Sequence, residues 1–192
     1  MTAALALAQP NSTSELLLGA GAAVVGAVIS DIDSDSSETH RDANIVIGVV
    51  AAAIAALVAV EMIGHVGLYR KILAQTSLMR VIPAAAVLLG ICAFGKEQPH
   101  RSFMHSILAL ALMTCCVHII LPLAAPYFAA AFASHLLIDF FNRRGERLFY
   151  PYQKGFCLNI CSSDGWMNSL LLRVCSLTAA GLFVYRMVRI FL

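Results

Sequence analysis

Residues 132–152 read FASHLLIDFFNRRGERLFYPY, and the reading of this stretch decides the fold. An apolar run fit for the inside of a helical bundle carries His135 and Asp139, then breaks at Asn142 into arginines and Gly145. At 3.6 residues per turn, side chains four apart stand about 40° from one another around a helix, so both ionisable groups face one side. Such a pair can ligate a single ion, and ionisable groups at membrane depth are candidates for function. The plain alternative is an interfacial Asp at a helix end, with His135 donating to a nearby carbonyl.

Outward from that helix, the composition is that of a membrane protein. The 192 residues are 60% hydrophobic and 12% charged, with a mean hydropathy of +0.82, against about 45–50% apolar and 25% charged in soluble domains. Apolar segments run over Leu16–Ile29, Ile45–Ile63, Val81–Phe94, Ile107–Ala125, Tyr127–Phe141 and Leu170–Leu192. Lipid offers the backbone no hydrogen-bond partners, so these predict an all-α integral membrane bundle of about six helices. We expect a flexible leader over 1–15 and a single membrane-embedded domain over 16–192. The first, third and fifth segments fall short of the roughly 20 residues a bilayer core requires. They should run on into polar sequence or sit in thinned membrane. The prolines of LPLAAP, 121–126, predict a tight turn between the fourth and fifth helices.

The opening MTAALALAQ superficially resembles a signal peptide but lacks a basic start and a long enough apolar part. A net charge of +2, with basic residues in short clusters, gives no footprint for nucleic acid. Four of the six cysteines, Cys92, Cys115, Cys116 and Cys175, lie in apolar runs, where cysteine acts as a small hydrophobe. Cys157 and Cys161 flank LNI in a polar loop; their spacing matches no standard zinc knuckle and leaves a disulfide as the alternative.

If all six segments cross, the loops over 30–43, 95–106 and 142–169 share one face, opposite both termini. They hold SDIDSDSSETHRD, GKEQPHRSFMHS and the tail of the opening stretch. Asp31 and Asp33, at a helix end, are hard oxygen ligands by type, although a solvated loop or a helix cap uses the same residues. His100 and His105 stand five apart and do not stack on a helix. They can serve one centre if His100 lies in the loop and His105 in the first turn of the next helix, a start that Pro99 favours. His65 and His118 have no acidic neighbour, which reads as structural and leaves a haem-binding bundle little ground. Glu61 reads as interfacial, within reach of Arg70 or Lys71, and the aromatics of RLFYPY as an interfacial belt. The motif face carries Arg41, Lys96, Arg101, Arg143, Arg144, Arg147 and Lys154, against Arg70, Lys71, Arg80, Arg186 and Arg189 opposite, which predicts a cytoplasmic site.

DIDSDSS, HRSFMHS and SHLLIDFFNRRGERLFYP, in this order and at these helix ends, resemble the three signature blocks of the YdjM-like family of predicted membrane-bound metal-dependent hydrolases. The resemblance extends from Gly19 to Tyr152. It implies metal ligation by Asp31, Asp33, His105, His135 and Asp139, and catalytic roles for His100 and Arg101. Ser106 would stand beside the site, and Gly145 and Pro151 would shape the loop after the fifth helix. The implied cofactor is a divalent metal, zinc or else manganese, and the implied location the bacterial inner membrane. The family's distant similarity to zinc phospholipases C and single-strand-specific zinc nucleases implies hydrolysis of a phosphoester of a lipid or lipid-linked substrate, the partner being membrane lipid.

The departures are specific. Ser30 stands where the family has Pro, Ser34 where it has His, Ser102 for Gly and Met104 for Thr, and NSTSELLLG holds no counterpart to the amino-terminal His. Two usual ligands are therefore missing; His40 is the candidate substitute, and an inactive metal-binding or scaffold protein is the alternative reading. Lipid-phosphate phosphatases and prenyl-protein proteases also use helix histidines. The Pro-Ser-Gly-His block of the former and the Glu-Glu pair of the latter are absent.

Overall fold

The computed structural model describes residues 10, 12–33, 39–65, 67–141, 143, 145–160 and 166–191. Ser12 opens the first helix: its Oγ accepts a hydrogen bond from the Glu15 amide at 3.3 Å, satisfying one of the first-turn donors that a helix leaves unpaired. Helix α1 (Thr13–Val28) therefore starts inside the expected leader, of which 1–9 and 11 lie outside the described residues. It passes directly into a 3-10 turn, Ile29–Asp33, so DID is a tightened helix end rather than an open loop.

The chain continues through α2 (Thr39–Gly64), α3 (Leu68–Gln75), α4 (Leu78–Lys96), α5 (Ile107–Ile120), α6 (Ala125–Phe140) and α7 (Trp166–Phe191). The described residues contain no strand, only the isolated bridge between Glu146 and Phe156. The fold is all-α, and the six expected segments match α1, α2 and α4–α7. Helix α3 is the addition. Its polar LYRKILAQ gave no apolar signal, and Glu61 serves it, with Oε2 accepting from the Leu68 amide at 2.9 Å.

Among the described residues, two helical stretches are long and apolar enough to cross a membrane, Thr13–Asp33 and Met79–Lys96. Helices α5 and α6, with 14 and 16 residues, are shorter than the roughly 20 a full crossing takes. Between them, the amide of Ala124 closes a turn on the Leu121 carbonyl at 3.0 Å, and Pro126 sits in the first turn of α6, as the prolines predict.

Helix α6 lies at the centre, packed on α1 and α5, and α5 packs in turn on α4. Gly26 shows how closely α1 and α6 approach: a Cβ there would stand 2.5 Å from the Phe128 carbonyl oxygen. Inside lipid, helices gain from such close packing because apolar side chains are not being withdrawn from water. Phe103, Met104, Ala109, Met113, Phe128, Phe132 and Leu136 form the main core, against which Ile29, Ile32 and Tyr150 pack. The outer faces are apolar and bare, with Ile54 and Met62 on α2, Ile82 and Leu89 on α4, and Leu177 and Val184 on α7 all exposed.

Candidate metal centre

Three separated segments converge beside that core. The 3-10 turn brings Asp31 and Asp33 to the end of α1. The loop between α4 and α5 brings His100, Arg101 and His105. It turns at Arg101, whose backbone sits in the left-handed region at φ 61°, and the His100 and His105 rings meet edge to face with centroids 5.2 Å apart. The last turns of α6 present His135 and Asp139 to one side, as their spacing of four predicts; His135 Nε2 lies 3.5 Å from Asp139 Oδ2.

His105 corrects one expectation, because it precedes α5 instead of lying in its first turn. The cap is Ser106, in extended conformation at φ −124°, whose Oγ accepts from the Ala109 amide at 3.1 Å and donates to the Phe103 carbonyl at 2.6 Å. A cap residue is by nature non-helical, so the residue before it is held outside the helix. Flanked by Met104 and Ser106, both fully buried, the imidazole is fixed in the interior.

Around His105 the carboxylates divide between the two edges of the ring. On the Nε2 edge, Asp31 Oδ1 lies at 3.6 Å and Asp139 Oδ2 at 3.4 Å, while His135 Nε2 is 3.3 Å from the same Asp31 oxygen. On the Nδ1 edge, Asp33 Oδ2 lies at 3.5 Å, and Asp33 Oδ1 makes a 3.0 Å hydrogen bond with His100 Nδ1. The ligand atoms of Asp31, His105 and His135 all lie within 4.8 Å of one another, and so do those of Asp33, His100 and His105.

These groups could hold a metal ion, and the geometry passes a fit test. Neither His105 nitrogen, nor His135 Nε2, nor Asp33 Oδ2 has a hydrogen-bond partner, although all are buried. Buried polar atoms are almost always satisfied, so four orphans at one point indicate a shared requirement. A tetrahedral ion bonded at about 2.0–2.2 Å separates its ligand atoms by about 3.3–3.6 Å. Asp31 Oδ1 stands 3.3 Å from His135 Nε2 and 3.6 Å from His105 Nε2, within that range, and Asp139 Oδ2 lies 3.5 and 3.4 Å from the same two nitrogens but outside the group of three mutually close ligand atoms. In the metal-free chain burial by itself lowers the His105 pKa, but the adjacent carboxylates of Asp139, Asp31 and Asp33 outweigh it and hold the imidazole up at about 11.

Arg101 Nη2 lies 3.6 Å from Asp139 Oδ1, on the outer side of that carboxylate. The arginine that braces it is Arg147, whose amide donates to the Arg101 carbonyl at 3.1 Å and whose Nη1 donates to Ser102 Oγ at 3.3 Å. Of the other arginines in this stretch, Arg143 is exposed and Arg144 lies outside the described residues. Gly145 does shape this loop: a Cβ on it would stand 3.2 Å from the Gly155 Cα, so the two glycines let the strands of the loop touch.

The sequence reading missed Glu146. It is fully buried beside the cluster, with neither carboxylate oxygen hydrogen-bonded. Its only signal was its place directly after Gly145, and a Glu among arginines reads as a solvated loop. His65 and His118 are exposed, consistent with a structural reading. Cys157 is a free, exposed thiol, and its suggested partner Cys161 lies outside the described residues, as do Ser34 and the side chain of His40.

The fold and the site together define a helical membrane protein whose helix ends gather histidines and aspartates able to hold a metal ion. The chain belongs to the YdjM inner membrane protein family, whose family model matches residues 1–191. No curated protein and no solved structure matches it.

Proposed function

We propose that this protein is a membrane-bound metal-dependent hydrolase that cleaves a phosphoester of a lipid or lipid-linked substrate in the bacterial inner membrane. The observation that carries the reading is the triad of Asp31, His105 and His135, whose ligand atoms lie within 4.8 Å of one another with neither Nε2 hydrogen-bonded, and with Asp139 beside both histidines. Mixed imidazole and carboxylate donors suit zinc, and manganese as the alternative. A divalent cation bound there supplies Lewis acidity towards a phosphoryl oxygen and lowers the pKa of water.

The protein's own groups divide the remaining work. Asp33 Oδ2 faces the Nδ1 edge of His105 at 3.5 Å, which leaves Nε2 directed at the cluster. His100 pairs with Asp33 and keeps about a third of its side chain exposed, so it can exchange a proton with a substrate oxygen or with solvent. Arg101, anchored on Asp139, offers its guanidinium to the charge that develops on the phosphate oxygens. Asp31 is the most open member, with 44% of its side chain exposed, and marks the side from which substrate enters. That entrance lies at helix ends, and the ends of membrane-crossing helices approach the head groups, which supports a lipid-borne phosphoester over a nucleic acid.

A second reading, a binding or scaffold protein without turnover, is favoured by the loss of two usual ligands: Ser34 stands where the family carries His, and NSTSELLLG holds no counterpart to the amino-terminal His. One experiment separates the two. Metal content by plasma mass spectrometry should be stoichiometric in wild type and lost in the His135→Ala/Asp139→Ala variant, and wild type in mixed micelles should release product from phospholipid or lipid-linked phosphoesters. Metal without product across such substrates selects the scaffold, and wild type that takes up no metal removes the hydrolase chemistry altogether.

A further inference from the structure

Glu146 takes no part in the geometry described so far. Its side chain is fully buried and neither oxygen has a hydrogen-bond partner. A carboxyl stripped of water and given no donor is a net loss to the fold, and buried carboxylates are ordinarily paired or bound to a metal. Its backbone, by contrast, is held firmly. The Glu146 amide donates to the Phe156 carbonyl at 2.9 Å, the Phe156 amide returns a bond at 2.8 Å, and the following residue bonds to the Arg101 carbonyl at 3.1 Å. The loop would keep all of these contacts with any residue of similar size in place of Glu146, so the carboxyl itself is not what holds the loop.

The charged groups acting on it are those of the cluster. Asp139 repels its ionised form, and His105, Arg101 and His135 attract it. Burial, with Asp139 adding to it, pushes its pKa up to about 8 in the metal-free chain. Asp31, Asp33, Asp139 and Glu146 thus crowd four carboxyls into one end of the bundle, and a divalent cation that displaces the protons of His105 and His135 brings its own positive charge to them.

We propose that Glu146 belongs to the cation centre, its buried carboxylate offsetting the charge of the bound ion and strengthening ion binding without holding the loop. The inference rests on the reading of the cluster as a metal site. The test measures Mn²⁺ alone, by titration calorimetry, on full-length protein in detergent, with the thermal unfolding of each metal-free form in parallel. E146Q keeps volume and planarity and removes the charge. It should bind Mn²⁺ about tenfold or more weakly, in the range seen when outer carboxylates of metal sites are removed, while melting in the metal-free form at or above the wild-type temperature. E146D, which keeps the carboxylate, should recover part of the affinity, and it carries the test if E146Q does not fold. Wild-type affinity in E146Q, or a lowered metal-free melting temperature with affinity unchanged, overturns the proposal and makes Glu146 structural. Wild type that binds no Mn²⁺ or Zn²⁺ overturns the metal reading itself, a distinct outcome.

Discussion

At His105 both ring nitrogens face carboxylates and neither makes a hydrogen bond, so protons and a cation compete for the same atoms. Its pKa in the metal-free fold, about 11, lies above the ordinary 6.5. A raised pKa contributes stability that is fully present below pH 6.5 and is lost as pH rises through about 11. Metal-free protein should therefore lose thermal stability over that window, and a His105→Gln variant should lack this part of the decline. Cation uptake should run the other way, tightening as pH rises because His105 must shed a proton to ligate. Calorimetry and thermal unfolding at a series of pH values check both signs; a metal-free melting temperature that climbs from pH 7 to 10 would refute the electrostatic account. His135 and Asp139 were legible at this scale because helical periodicity alone puts them side by side. The division of Asp31 and Asp33 between the two edges of one imidazole was not, since alternate residues in a 3-10 turn have no preferred partners until another segment meets them. Glu146 escaped for the same reason.

Among the elements, the pairing of α1 with α6 positions the site, because it brings the DID turn to the end of the helix carrying His135 and Asp139. Gly26 sets that approach. Gly26→Ala would drive a methyl group into the Phe128 backbone, which cannot move aside as a flexible side chain would, and should cost about 1–3 kcal/mol with a loosened Asp31–His135 contact and weaker cation binding. Gly90 on α4 is the matched control: a Cβ there meets nothing within 4 Å, so Gly90→Ala should be neutral or stabilise by up to about 1 kcal/mol through helix propensity. Thermal unfolding in detergent with and without Mn²⁺ reads both. Equal effects of the two substitutions would mean that the α1–α6 contact does not set the site. The apolar segments announced all six long helices. Helix α3 stayed hidden because its stability comes from Glu61 capping its amino end, a tertiary contact over seven residues of sequence.

For the whole molecule, the converging groups come from the segments that the loop count puts on one face, the face to which it also assigns Cys157. The excess of Lys and Arg there predicts that this face is cytoplasmic. A membrane-impermeant maleimide should label the exposed thiol of Cys157 in inside-out vesicles and not in right-side-out ones, with Cys157→Ser removing that signal. Labelling from the right-side-out surface would place the site on the opposite face. The sequence by itself determined that the chain is a helical membrane bundle, where its six apolar helices run, and that three polar blocks follow or precede helix ends. Those properties follow from local hydropathy and period, which each segment carries alone. Only the tertiary structure decided which edge of His105 each aspartate faces, that Ser106 and not His105 begins α5, that Arg147 braces Arg101, and that Glu146 is buried. Such pairings depend on how closely α1 meets α6 and how the 97–106 loop folds onto the 145–150 loop, and close packing between distant segments leaves no periodic mark in either one.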